Sequence, residues 1–229
     1  SEHPFITAAG LVIKNNYKMW QLFILPLLIQ IGVSETDVPV KSFTINMDLP
    51  ADVRLKPLCD EYKEYVVDIY QGMVNQLPED ALDSLEDIML RWFLKNAIEP
   101  YKSEIYYVAQ CARVPLGAVV TMNLLYDMTA ACTSIVAEDE NGLIWHGRNL
   151  DYGDIPVLRN STYVAYYTNN KSETLYVGTP FFGYAGLWTG FKKDAFSISG
   201  DERDQGSIID NIESIHDDYW PSGWLMREV

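Results

Sequence analysis

The chain carries three cysteines, at positions 59, 111 and 132, and the last stands where chemistry is easiest to build. It heads the stretch 131–153, "ACTSIVAEDENGLIWHGRNLDYG", in which Arg148 follows sixteen residues on and Asp151 three after that. A thiol nucleophile needs a base to take its proton and surroundings that favour the thiolate. No histidine stands at a familiar spacing, so a Cys–His pair would have to borrow His146 or His216. Another base exists if the Ala131–Cys132 bond is cut: the new α-amino group of Cys132. An α-amine has an ordinary pKa near 8, far closer to working pH than a lysine. Base and nucleophile then sit on one residue and need no separate positioning, the logic of enzymes that pair a threonine with its own N-terminal amine. Arg148, always charged, would favour both the thiolate and the neutral amine. Asp151 could orient the amine by hydrogen bonding. The same residues also fit a cysteine buried in a strand beside an exposed surface ion pair, and spacing alone does not separate the two.

Either reading requires elements that bring position 148 back to position 132. "CTSIVAE", the turn "DENG" and "LIWHGRNLDY" form a β-hairpin pattern that does so. "STYVAYYT", "NNKS" and "ETLYVGT" form a second hairpin, and "AFSISG" a further short strand. Upstream, "KSFTINMDLP" (41–50) alternates Phe43, Ile45 and Met47 against polar neighbours, the mark of a half-buried strand. Between Pro50 and Pro100 the period becomes helical, in "EYKEYVVDIYQGMVNQL" and "EDALDSLEDIMLRWFLKNAI", with Pro100 stopping the second. A third helix is expected over Val119–Tyr126. The stripe Leu82, Leu85, Ile88, Met89, Trp92 and Phe93 is most simply core, and the sharper alternative is a lipid-facing surface. Helices over 50–130 followed by strands over 132–200 predict an α+β class of packed layers. The glycines of "GYAGLWTG" (183, 186, 190) lack the Lys-Ser/Thr of a phosphate loop and read as tight turns around Trp188.

Composition narrows the function classes. With 229 residues, 48% hydrophobic and 13% aromatic, the chain can bury a sizeable core. A formal charge of −15 repels phosphates and argues against nucleic acid as a partner. Near the isoelectric point of about 4.5 that self-repulsion disappears, which suits an acidic compartment. Three cysteines make no disulfide scaffold, and whether Cys59 and Cys111 pair is left open. His3, His146 and His216 are too scattered for a metal site and read as solvated or packed residues, so no metal and no cofactor are expected. Residues 20–33, "WQLFILPLLIQIGV", are too short for a membrane span and suit a signal peptide starting at Met19; Pro26 argues against a buried helix there. With such a leader, the sequons at Asn160 and Asn170 become expected glycan sites at turns.

"CTSIVAEDENGLIWHGRNLDY" resembles the start of the β-subunit in the acid ceramidase and N-acylethanolamine-hydrolysing acid amidase family of N-terminal nucleophile hydrolases. "FFGYAGLWTG", "SISGDERDQG" and the upstream "FTINMDLPADVRLKPL" resemble the same family in the same order, from about residue 42 to at least 206. "GLWTG", "SGDERD" and "HGRNLDY" lean toward the acid amidase branch. The resemblance implies an αββα sandwich with a mainly helical α-subunit region. It implies an upstream segment and signal peptide over 1–34, a pro region over 35–131, and the N-terminal part of a catalytic β-subunit over 132–229. It implies a lysosomal or secreted glycoprotein, cut before Cys132 by its own chemistry into two subunits, that hydrolyses fatty-acid amides such as N-acylethanolamines in acid. A ceramidase, or a truncated lipid-binding homologue without turnover, is the alternative. Matched residue by residue, Cys132 is the nucleophile, Arg148 and Asp151 complete the site, and Glu202 is linked to the site and to self-cleavage. Tyr152 and Trp188 fall where aromatic side chains line the acyl channel. The partners implied are a lipid amide, the two subunits for each other, and a membrane surface touched peripherally by the helical region. No Thr-Asn-Tyr-Asp-like stretch, the family's source of an oxyanion-stabilising asparagine, follows Glu202. The chain is therefore expected to be truncated at its C-terminal end, with its oxyanion hole incomplete.

Overall fold

The computed structural model of the chain describes residues 40–76, 79–129, 131–151, 156–201 and 220–228. The apolar run 20–33, His3, His216, Tyr152 and Glu202 lie outside them. Both secondary-structure classes are present, as the α+β reading requires. Strand β1 (Ser42–Asn46) leads into a short helix, α1 (Ala51–Arg54), and then four longer ones. These are α2 (Lys56–Gln76), α3 (Glu79–Asn96), α4 (Tyr101–Ala112) and α5 (Leu116–Thr129). The strand-rich half holds β2 (Ala131–Glu138), β3 (Ile144–Asp151), the short α6 (Pro156–Asn160), β4 (Val164–Thr168), β5 (Thr174–Gly178), β6 (Thr189–Lys192) and β7 (Phe196–Ser199). Helix α7 (Ser222–Glu228) is the last element among the described residues.

One sheet runs in the order β1-β4-β5-β6-β7, and β2 and β3 form a separate two-stranded ribbon. Strand β1 pairs in parallel with β4, Ile45 opposite Tyr167, so residues from both halves of the chain share one sheet. Its buried face meets the helices through Ile45, Tyr163, Ala165 and Tyr167. Tyr62 of α2 stacks on Tyr163 at 5.8 Å between ring centroids, and Phe43 meets both rings edge-on.

On α3, Leu82, Met89, Trp92 and Phe93 are buried, Leu85 is half-buried and Ile88 is exposed, so most of the stripe is core. Helix α4, between the second helical pattern and the helix expected over Val119–Tyr126, went unread because its apolar face is written largely in tyrosine and alanine. Tyr101, Ile105, Val108, Ala109 and Ala112 nevertheless repeat at helical spacing and are buried. Pro100, expected to stop α3, stands instead at the N-terminal boundary of α4, where its fixed φ is no handicap. Cys59 and Cys111 form a disulfide between α2 and α4. Closing a loop of this size stabilises by roughly 4 kcal/mol in the chain-entropy account.

The one strongly charged cluster in the described core centres on Glu104. Arg227 holds both its carboxylate oxygens, Nη1 to Oε2 at 2.5 Å and Nη2 to Oε1 at 2.8 Å, and Arg54 Nη2 reaches Oε1 at 2.7 Å. Arg54 also donates to the Leu49 carbonyl and Arg227 to that of Ala185, so α1, α4, α7 and the loop after Phe182 meet at one carboxylate. Burial alone would push the Glu104 carboxyl up, but Arg227 and Arg54 together outweigh it and hold it below the ordinary carboxylate range.

Removing that carboxylate would strand two guanidiniums, so Glu104→Ala is expected to cost about 3–5 kcal/mol in urea unfolding. Because the folded-state pKa is depressed, the contribution is full above the ordinary value of 4.5 and is lost as pH falls through the lower folded value. The difference in melting temperature between the wild type and Glu104→Gln should hold from pH 7 to pH 5 and shrink only in stronger acid.

Candidate active site

The ribbon that carries Cys132 closes on a turn made by Asp139. Its Oδ1 accepts from the amides of Asn141 and Leu143 at 2.9 and 3.0 Å, and Gly142 takes a φ of +80° that other residues avoid. The turn sets the register: Cys132 lies opposite Leu150 and Ser134 opposite Arg148. Alternate residues share a face, so Cys132, Ser134, His146, Arg148 and Leu150 stand on one side of the ribbon.

Arg148 lies diagonally across from the thiol and donates from Nη2 to Cys132 Sγ at 2.8 Å. The same Nη2 lies 2.8 Å from the Gly200 carbonyl, while Nη1 donates to Thr189 Oγ1 at 3.0 Å. Its side chain is 6% exposed, and among the described residues the carboxylate nearest to pairing is Asp201, 3.9 Å from Nε. A buried cation that meets its acid only at that distance keeps a field for a second anion, and a thiolate at Cys132 is placed to supply it. Cys59 and Cys111 being bridged, Cys132 is the cysteine left as a thiol.

An apolar wall stands beside the sulfur. Cys132, Leu150, Ile69 and Trp188 pack against Leu158, Phe181 and Tyr184. Tyr184 stacks between Phe181 and Trp188, at 5.4 and 6.4 Å between centroids. The loop bearing these rings is fixed by Asn123, buried in α5, whose amide donates to the Gly183 carbonyl while its oxygen accepts the Ala185 N–H. Gly183 takes φ +103° to make this turn, but Gly190, expected to be another turn residue, is part of β6. The 181–190 stretch thus turns at Gly183 and enters strand β6 only at Thr189 and Gly190.

Of the residues singled out in the sequence, Cys132, Arg148 and Trp188 come together here. Ala131 and Asp151 are register partners at the open end of the ribbon, which puts the aspartate's backbone beside the expected cleavage point. Asn170 lies in the β4–β5 turn, its side-chain oxygen accepting from Asn46; Asn160 is the last residue of α6 rather than a turn residue. His146, read as solvated or packed, bonds two serines of β7. Thr189, Gly200 and Asp201 were missed, although they sit inside the stretches "GLWTG" and "SGDERD" that had already drawn notice.

Curated proteins similar to the chain agree with one another. The N-acylethanolamine-hydrolyzing acid amidase of Rattus norvegicus is 35% identical over 192 residues, 82% of this chain and 52% of its own length. Acid ceramidase of Bos taurus is 33% identical over 214 residues, 83% of this chain and 53% of its own. The chain belongs to the acid amidase and acid ceramidase family. It spans about half the length of the curated relatives it matches. No family model matches it.

Within this member of the acid amidase and ceramidase family, Gly200 is a tight joint beside Arg148. Its N–H donates to the Trp188 carbonyl, its own carbonyl accepts from Arg148, and an added Cβ would come 2.1 Å from the Trp188 ring and 2.7 Å from Met226 Sδ. Gly200→Ala is expected to cost about 1–3 kcal/mol by overpacking. It should also slow alkylation of Cys132, because the carbonyl that steadies Arg148 moves with the backbone. Thermal melts and iodoacetamide labelling, run side by side, check both.

Proposed function

We propose that the chain carries the nucleophile of a lysosomal-type acid amidase of the N-terminal nucleophile class, with Cys132 as the attacking residue. The observation that carries this reading is the 2.8 Å contact from a buried arginine to the Cys132 sulfur, with Asp151 paired opposite Ala131. After cleavage of the 131–132 bond, the α-amine takes the thiol proton and the thiolate attacks the amide carbonyl. A thioester forms as the amine product leaves with a proton. Water, activated by the same amine, then releases the fatty acid and restores the thiol. The aromatic wall of Phe181, Tyr184 and Trp188 is of the right character to receive an acyl chain, and in sequence Tyr152 follows Asp151 and Glu202 follows Asp201. The exposed Ile88 and Leu94 of α3 are candidates for contact with the membrane from which such substrates come.

N-acylethanolamines are the favoured substrate class, since "GLWTG" and "HGRNLDY" lean to the amidase branch. Ceramide is the second reading, and it stands on the equally broad match to acid ceramidase. Turnover of a fluorescent N-acylethanolamine against a fluorescent ceramide at acid pH separates the two.

N-terminal sequencing of the full-length protein after acid treatment is expected to read Cys-Thr-Ser-Ile, and its Cys132→Ala variant to remain uncut. An uncut chain that turns over amides would sink the amine-as-base mechanism. Arg148→Lys should keep the charge yet lose most of the function, because an ammonium cannot serve the thiol, Thr189 and Gly200 with one planar fork. Reactivity of Cys132 toward an acyl thioester probe reads this directly.

A further inference from the structure

Among the described residues the β2–β3 ribbon shares no ladder with the five-stranded sheet, and no backbone hydrogen bond there sets its spacing or register against β7. Side chains do this instead. His146 Nδ1 lies 2.8 Å from Ser197 Oγ and Nε2 3.1 Å from Ser199 Oγ. Ser134, from the neighbouring strand, lies 2.8 Å from the same Ser199 oxygen. Ser197 and Ser199 are one pleat apart, about 6.6–6.8 Å along the strand. A ring bonded to both hydroxyls at once cannot slide along β7, whereas a single bond would permit it.

The residue two positions beyond His146 on the same face is Arg148, whose remaining bonds go to Thr189 of β6 and to Gly200, the residue after β7. Without the imidazole and Ser134, Arg148 would both hold the ribbon against the sheet and face the sulfur. With them, its position is set before it meets Cys132.

We infer that His146, bridged to Ser197 and Ser199, is a positioning residue that fixes the register of the Cys132–Arg148 ribbon on β7 and so aims the guanidinium at the thiol. The inference rests on the reading of Cys132 as nucleophile and Arg148 as its activating cation. A neutral imidazole offers one donor and one acceptor on opposite edges, and a glutamine amide offers the same pair from one plane. His146→Gln is therefore the conservative replacement and His146→Ala the deletion.

The test measures the rate at which iodoacetamide alkylates the purified chain across pH 4–10 without reductant. Cys59 and Cys111 are bridged, so the reagent reports Cys132. Arg148→Gln is the reference and should move the midpoint of the profile upward by one unit or more, roughly the effect of removing an adjacent cation. His146→Ala is expected to move it upward by about one unit and to slow labelling several-fold at pH 6, with His146→Gln recovering most of the loss. Loss of folding stability alone would change the melting temperature but leave the midpoint in place. If Arg148→Gln shifts the profile and His146→Ala does not, the inference is overturned while the reading of Arg148 stands. If neither shifts it, the reading of Arg148 fails and takes the inference with it. Should His146→Ala not fold, Ser197→Ala decides, since it removes only the outer of the two bonds. A smaller upward shift supports the clamp, and an unchanged midpoint overturns it.

Discussion

Everything in the described core is arranged around one carboxylate that has no water to turn to. Glu104 is satisfied only when Arg54 and Arg227 arrive from opposite ends of the sequence, and each arginine brings a carbonyl with it. Such a cluster adds little net stability over an apolar core, since desolvating three charges costs about what their attraction returns. Its effect is selective, because a packing that leaves α7 elsewhere strands a buried charge. The Ala185 carbonyl held by Arg227 belongs to the loop that continues into Trp188 and Thr189, and Thr189 ends on Arg148. A short series of bonded groups therefore runs from the deepest ion pair to the reactive sulfur.

The ribbon that bears the sulfur is built on different terms. Its far half leaves Ile135, Val136 and Ile144 between 58% and 66% exposed, so burial does not hold it. Its near half is held by Arg148, His146 and Ser134 against β7 and by Cys132 and Leu150 against the aromatic wall. The reactive group thus lies where an exposed hairpin meets a rigid sheet, positioned by hydrogen bonds rather than by packing density. Small displacements there matter more than large losses of area elsewhere, which is why a glycine such as Gly200 can govern the site.

What could be read from the sequence divides along the same line. Strand β1 and the β2–β3 and β4–β5 hairpins were legible because alternation and turn residues are local signals, and the diagonal approach of Arg148 to Cys132 follows from a hairpin register alone. The stripe of α3 was legible as core from its period. Helix α4 was not, because tyrosine and alanine blur the contrast that periodicity needs. Strand β6 was hidden by Gly190, a residue better known from turns. The Cys59–Cys111 bridge was left open because connectivity is a property of how α2 and α4 pack. Thr189, Gly200 and Asp201 could not be assigned roles because they meet the Arg148 side chain from 41 or more residues away, through a tertiary contact that no local pattern encodes.

The disulfide lies wholly on the N-terminal side of Cys132. The two pieces of a backbone opened before that residue would therefore not be tied together by this bridge. Their cohesion would rest on β1 zipped alongside β4 and on Arg227 gripping Glu104 across the break. Such an assembly is in effect a heterodimer made from one gene product. Reducing this bridge would leave the contact between the assembly's two parts untouched, and parts drawn asunder by denaturant would reunite only if the severed β1 found the edge of β4 again.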